Sequence, residues 1–244
     1  MPDRPSILVP IQVLEGEGIP EGVPELLGAA HVVLLGYHVL PEQTATGQAQ
    51  MQFEERANQR LAEYEAMFEE AGATVERRVV FTHDGQKTID RTITEHDCLA
   101  VLVPNATGDV EDVLVAVRGA VGIDRLARVV AGVFGGADAS TTLYHIAEED
   151  ETTDDVGMLL EGLADRLEEL GVDEGSIATR IDRDRDSQDG IVETAEGYDV
   201  VVMGETDPSL ATFVFGMPSN QIAERFLGPV LVVQRERPSD DGED

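Results

Sequence analysis

Lysine is almost missing from this chain of 244 residues: Lys87 stands alone among 17 basic residues, the rest being arginine. No basic stripe is available to neutralise phosphates along a backbone, which argues against a nucleic-acid partner. Cysteine is reduced to Cys98, so no disulfide framework forms and a reducing, cytoplasmic compartment is expected. No apolar run approaches the ~20 residues of a membrane helix, and none is expected to span a bilayer. The opening Met-Pro-Asp-Arg-Pro lacks the apolar core of a signal peptide.

What is present in excess is acid. The 49 acidic residues set the net charge at −32. Such a charge strains a compact domain through self-repulsion. At about 1 M salt the Debye length falls to about 3 Å and that repulsion is largely screened. The composition therefore fits a halophile's cytoplasm. The hydrophobic fraction of 42% is ordinary, and the length suits one large or two modest domains. The last residues, 237–244, read as an acidic solvated tail.

Apolar periodicity sketches an alternating α/β order. Ile7–Val9, His31–Leu40, Val75–Phe81 and Cys98–Val103 read as strands. The helix between the second and third runs from about Gln48 to Ala71, with Phe53, Ala57, Leu61, Tyr64 and Phe68 at helical spacing and Gly72 as its stop. Val110–Leu126 is expected to be helical and Val129–Phe134 a fifth strand. Much of this order then recurs. Thr142-Leu-Tyr-His-Ile echoes Leu35-Gly-Tyr-His-Val, and Glu168-Glu-Leu-Gly echoes Glu69-Glu-Ala-Gly. The helix Asp155–Leu170, the strands Ile177–Ile181, Val200–Met203 and Val230–Val233, and a short helix at Ile191–Glu196 complete the second series. Matched landmarks in one order predict a duplicated unit. The expected division is 1–134 and 135–236; either the second copy has lost a first strand and helix of its own, or Val129–Phe134 serves both as last strand of the first copy and first strand of the second. Val129–Phe134 and Val230–Val233 would pair across an internal pseudo-dimer.

The segment Asp199–Gln234 is the most informative. A buried strand ends in Gly204. A loop leads to Gly216, Ser219 is placed to cap a helix through Leu227, and Pro229 opens a final Pro-Val-Leu-Val-Val strand. Ligands of open α/β sheets bind beyond such strand ends. This segment resembles the carboxyl-terminal part of a universal stress protein domain. The resemblance implies an adenine-nucleotide alpha-hydrolase-like fold, a doubly wound parallel sheet in tandem, with domains that pair as homodimers or as an intramolecular pseudo-dimer. It implies ATP as the cofactor, held at Gly204, Gly216, Ser219 and Asn220. Three departures weaken that ligand: Asp207 stands at the second glycine of the phosphate turn, the spacer to Gly216 is one residue short, and Met217 replaces a hydroxyl residue. A carboxylate at Asp207 repels phosphate. In the first copy, Gln12 falls at the adenine-side aspartate position and only Gly108 follows the fourth strand. The expectation is a non-catalytic stress or regulatory protein with degenerate ATP binding, acting on an unidentified protein partner; the alternative is an ATP-binding switch with slow hydrolysis in the second copy.

Other chemistry is thin. His38 and His145 sit at strand ends, where a half-buried structural role outweighs an acid–base one, and no nucleophile stands at triad spacing. Asp182, Asp184, Asp186 and Glu193 imitate a calcium loop, but Ser187 occupies the position that needs glycine, so no metal is expected. Gly132-Val-Phe-Gly-Gly-Ala-Asp lacks the lysine of a phosphate-binding loop.

Overall fold

The computed structural model describes residues 4–117, 122–183, 191, 193–204 and 228–235. Along the chain come β1 (Ser6–Gln12), α1 (Val23–Leu26), β2 (His31–Val39), α2 (Thr46–Glu70), β3 (Thr74–Thr82), α3 (Gly85–Glu95) and β4 (Ala100–Val103). Then follow β5 (Asp112–Ala116), α4 (Ile123–Phe134), β6 (Ser140–Ile146), α5 (Thr153–Glu169), a 3₁₀ turn at Glu174–Ser176, β7 (Ile177–Asp182), β8 (Val200–Gly204) and β9 (Val230–Val233). The strands form one sheet in the order β3-β2-β1-β4-β9-β8-β5-β6-β7. Every described pairing is parallel except β4 with β9.

The sheet is covered on both sides, which is why its central strands are apolar on both faces. Ile7, Val9 and Ile11 of β1 pack with Leu61 and Phe68 of α2, while Leu8, between them, packs with Ile89 and Ile93 of α3. The same alternation divides β5: Val113 and Val115 join the cluster under α4 and α5, and Leu114 joins Ile191 and Ala195 on the other side. Fully burying one such Leu or Val contributes about 1.5–3 kcal/mol. The long helices α2 and α5 both hand over to left-handed glycines, Gly72 at φ 104° and Gly171 at φ 96°. No described helix is long and apolar enough to cross a membrane.

Two sequence expectations are overturned here. Val129–Phe134 is not a strand but the last half of helix α4, and the strand lies earlier, at Asp112–Ala116, inside the stretch expected to be helical. The cause is burial. Helix α4 buries Leu126, Ala127, Val129, Val130, Ala131, Val133 and Phe134, so its second half is a continuous apolar run, and such a run does not distinguish a buried helix from a strand. Gly132 lies against Pro5, where a Cβ would stand 2.5 Å from Cδ and 2.8 Å from Cγ. The expected pairing of Val129–Phe134 with Val230–Val233 falls with it: β9 lies between β8, to which it is parallel, and β4, to which it is antiparallel.

The register also corrects the Tyr-His echo. Ser6 pairs with His31 and its carbonyl accepts from Leu99 N at 2.8 Å; Asp112 pairs with Ser140 and its carbonyl accepts from Asp199 N at 2.9 Å. Counting from those pairs, Tyr144-His145 stands where Leu35-Gly36 stands, and Tyr37-His38 lies two residues further on. A slip of two keeps every side chain on its face, so the sequence pattern does not register it.

Candidate functional site

Crevices at carboxyl strand ends arise twice in this sheet, beyond β1 and β4 and beyond β5 and β8. In the first, residues 13–22 and 104–108 form the walls. They carry Glu15, Glu17 and Glu21 and not one basic residue. The two walls are joined by backbone: Thr107 N donates to Glu21 O at 3.0 Å. Gly22, at φ 81°, lies so close that a Cβ would collide with the Thr107 carbonyl oxygen. Tyr64 of α2 donates its hydroxyl to Glu17 O at 2.9 Å and receives Arg60 Nε at 3.0 Å, which ties the loop down on the helix. Gln12, the adenine-side candidate, is fully engaged. Its backbone N–H donates to Glu17 Oε2 at 2.7 Å, and its amide nitrogen, turned toward Glu15, donates to both carboxylate oxygens at 2.9 and 3.0 Å. Burial, with Glu17 adding to it, pushes the neighbouring Tyr37 phenol up.

In the second crevice Gly204 closes β8, buried, in register with Val233 of β9. Gly216, Ser219 and Asn220, the other phosphate-loop candidates, lie outside the described residues, as do Asp207, Asp184 and Asp186. Asn105 Nδ2, from the loop after β4, donates to Gly228 O at 3.0 Å and so reaches the segment entering β9.

His145 is 4% exposed and has both ring nitrogens occupied: Nδ1 lies 2.7 Å from Val117 O and Nε2 2.9 Å from Glu151 Oε2. Glu151 also accepts Glu148 N at 2.8 Å, so the histidine pins the end of β5 to the loop entering α5. No ring nitrogen remains to activate a hydroxyl or bind a metal. His38 stands edge-on to Phe53 and Phe81, with centroids at 6.4 and 6.2 Å, and its Nδ1 is buried without a partner. Neither histidine meets a nucleophile among the described residues. Cys98 is buried, and desolvation pushes its thiol up to about 11, far from nucleophilic reactivity at neutral pH.

Asp182, first of the calcium-loop candidates, is committed to structure. Tyr144 Oη donates to its Oδ2 at 2.9 Å and Arg180 Nη2 donates at 2.8 Å, with the Arg180 guanidinium 5.3 Å from the centre of the Tyr144 ring. Thr194 Oγ1 donates to the tyrosine oxygen at 3.2 Å. Burial pushes the Tyr144 phenol up. Among the described residues, no three His, Cys, Asp or Glu groups converge as a metal site. Sequence reasoning missed this cluster and the Glu151 partner of His145. Only strand register brings Arg180 beside Tyr144.

No protein-family model matches the sequence, nor does any curated protein. Solved structures do resemble it. A universal stress protein from Archaeoglobus fulgidus DSM 4304 superposes with a TM-score of 0.63 at 18% identity, covering 97% of each chain. Another from Archaeoglobus fulgidus, in complex with dAMP, gives a TM-score of 0.40 at 15% identity, covering 52% of this chain and 99% of its own. Over nearly its whole length, the chain therefore carries the adenine-nucleotide alpha-hydrolase-like fold of the universal stress proteins.

Proposed function

We propose that the chain is a non-catalytic regulatory protein of the universal stress family, with two copies of the domain divided between β4 and β5 rather than after Phe134. On this reading β1–β4 form the first copy and β5–β9 the second, and β9 serves both as last strand of its own copy and as the antiparallel seam to the other. The strand order, which runs outward from β9 as 4-1-2-3 on one side and 8-5-6-7 on the other, supports the division. The first crevice takes no nucleotide. The observation that carries this is its pair of walls, joined by Thr107 N to Glu21 O and lined by carboxylates without a cation. An incoming triphosphate meets like charge and a closed floor. Among the described residues of the two crevices, no group is placed as a nucleophile with its base, which supports a binding or scaffold role over hydrolysis.

A second reading keeps a nucleotide switch in the second copy. Gly204 favours it, since it ends a parallel strand beside β5 where such sheets take ligands. Gly216, Ser219 and Asn220 would supply the amides and hydroxyls, and ATP would be the ligand. Titration of the full chain with fluorescent ATP in molar potassium chloride decides between the two. The regulatory scaffold predicts no saturable binding up to millimolar nucleotide. Micromolar binding lost in Gly216→Asp establishes the switch. Binding that survives Gly216→Asp but disappears when Gln12 is replaced by Arg would sink the closed first crevice.

A further inference from the structure

At the amino-terminal ends of β6 and β7, on the sheet edge opposite the second crevice, a half-open cavity of about 490 Å³ lies between the tail ends of α4 and α5. That is the size of a small-molecule site. Val130, Phe134 and Val172, all buried, form its apolar lining. The exposed carboxylates of Asp138 and Asp173 stand on its rim, and among the described residues no Arg, Lys or His lines it. Thr141, 2% exposed, lines it from β6, and its hydroxyl has no hydrogen-bond partner among the described residues. Strand alternation sets Thr141 on the same face as Leu143 and His145, beneath the helices. The Thr141 hydroxyl opens onto the cavity, where a ligand can supply it with a hydrogen-bond partner.

The sign of the field is set by position. The carboxyl ends of α4, at Phe134, and of α5, at Glu169, both come to this cavity, and helix carboxyl ends carry negative partial charge. Two carboxylates add to it. An anion is excluded and a cation favoured, while Phe134 and Val172, within a mainly polar lining, leave room for a short hydrocarbon body.

We propose that this cavity binds a small organic cation, a primary amine on a short aliphatic body, with its ammonium among Asp138, Asp173 and the Thr141 hydroxyl and its hydrocarbon over Phe134 and Val172. The site is separate from the crevices and its test does not depend on nucleotide binding. The full chain, in molar potassium chloride to screen the diffuse surface acidity, is titrated with 3-methylbutylamine and with the neutral 3-methylbutan-1-ol, following backbone amide shifts. The expected result is saturable shifts centred on Gly135, Gly171 and Gly175 for the amine, and at least about tenfold weaker binding of the alcohol. Asp138→Asn and Asp173→Asn are each expected to weaken the amine about tenfold, and Thr141→Val about fivefold. Both aspartates are exposed, so those variants retain the fold. Equal affinity for amine and alcohol, shifts that never saturate, or shifts spread over the whole acidic surface would overturn the proposal. So would unchanged amine affinity in both aspartate variants. Should Thr141→Val fail to fold, the amine-to-alcohol ratio on the native chain still decides.

Discussion

Replacing Gly132 with alanine tests the assignment of 123–134 as a helix packed on the chain's start. Two effects oppose each other. In a helix interior, Gly→Ala is worth about 1 kcal/mol in favour of the folded state. Against it, the new methyl would stand 2.5 Å from Pro5 Cδ and 2.8 Å from Cγ. Those ring atoms are bonded back to the main chain, whose Pro5 carbonyl accepts His31 N at 2.9 Å, so they have little room to give. Overpacking of that kind costs about 1–3 kcal/mol. Gly132→Ala alone should thus be destabilising by ~0–2 kcal/mol. In a Pro5→Ala background, which removes Cγ and Cδ, the same change should become stabilising by about 1 kcal/mol. The coupling between the two sites is then about 1–3 kcal/mol, well above the ~0.5 kcal/mol expected for independent positions. Urea unfolding in molar potassium chloride, followed by far-ultraviolet circular dichroism, measures all four corners of the cycle. Additive effects would refute the packing of α4 on Pro5. A stabilising Gly132→Val would refute the helix itself, since a β-branched residue is favoured in a strand and not there.

Gly22→Ala combines a positive φ with a collision against the Thr107 carbonyl, so it should cost ~2–4 kcal/mol, with faster amide exchange at Thr107 as its local signature; a cost below ~0.5 kcal/mol would mean the first crevice is not closed as described. The Cys98 thiol is raised from 9.0 to about 11, so the folded chain keeps a proton that the unfolded chain loses. That contribution is fully present below pH 9 and is lost as pH rises through about 11; Cys98→Ala should flatten this part of the stability curve, and the native thiol should resist iodoacetamide at pH 8. With a net charge of −32, the unfolding midpoint should rise between 0.1 and about 2 M potassium chloride as repulsion is screened; a midpoint independent of salt would argue against self-repulsion as a stability term.

Much of the fold was written in short-range pattern. The 3.6-residue spacing of Ala57, Leu61, Tyr64 and Phe68 placed α2, and the β-branched runs placed β1, β2, β8 and β9 close to their observed bounds. Gly72 and Gly171 marked two helix ends because the left-handed conformation they adopt is costly for other residues. The charge, the single cysteine and the resemblance of the last segment were equally legible. The candidate site was less so: Gly204 fell at a strand end as expected, but what occupies the first crevice is decided by pairings across the chain.

The sequence by itself determined where the chain alternates between strand and helix outside residues 110–134, and on which faces those elements are apolar. Tertiary structure alone decided that 112–116 is a strand and 129–134 a helix, because a segment buried on every side loses the polar half of its period. It also decided that β9 lies between β4 and β8, that Tyr144 meets Arg180, and that Glu21 and Thr107 close a crevice. Those contacts join residues tens of positions apart, and no local pattern records which distant strand end will arrive beside a given loop.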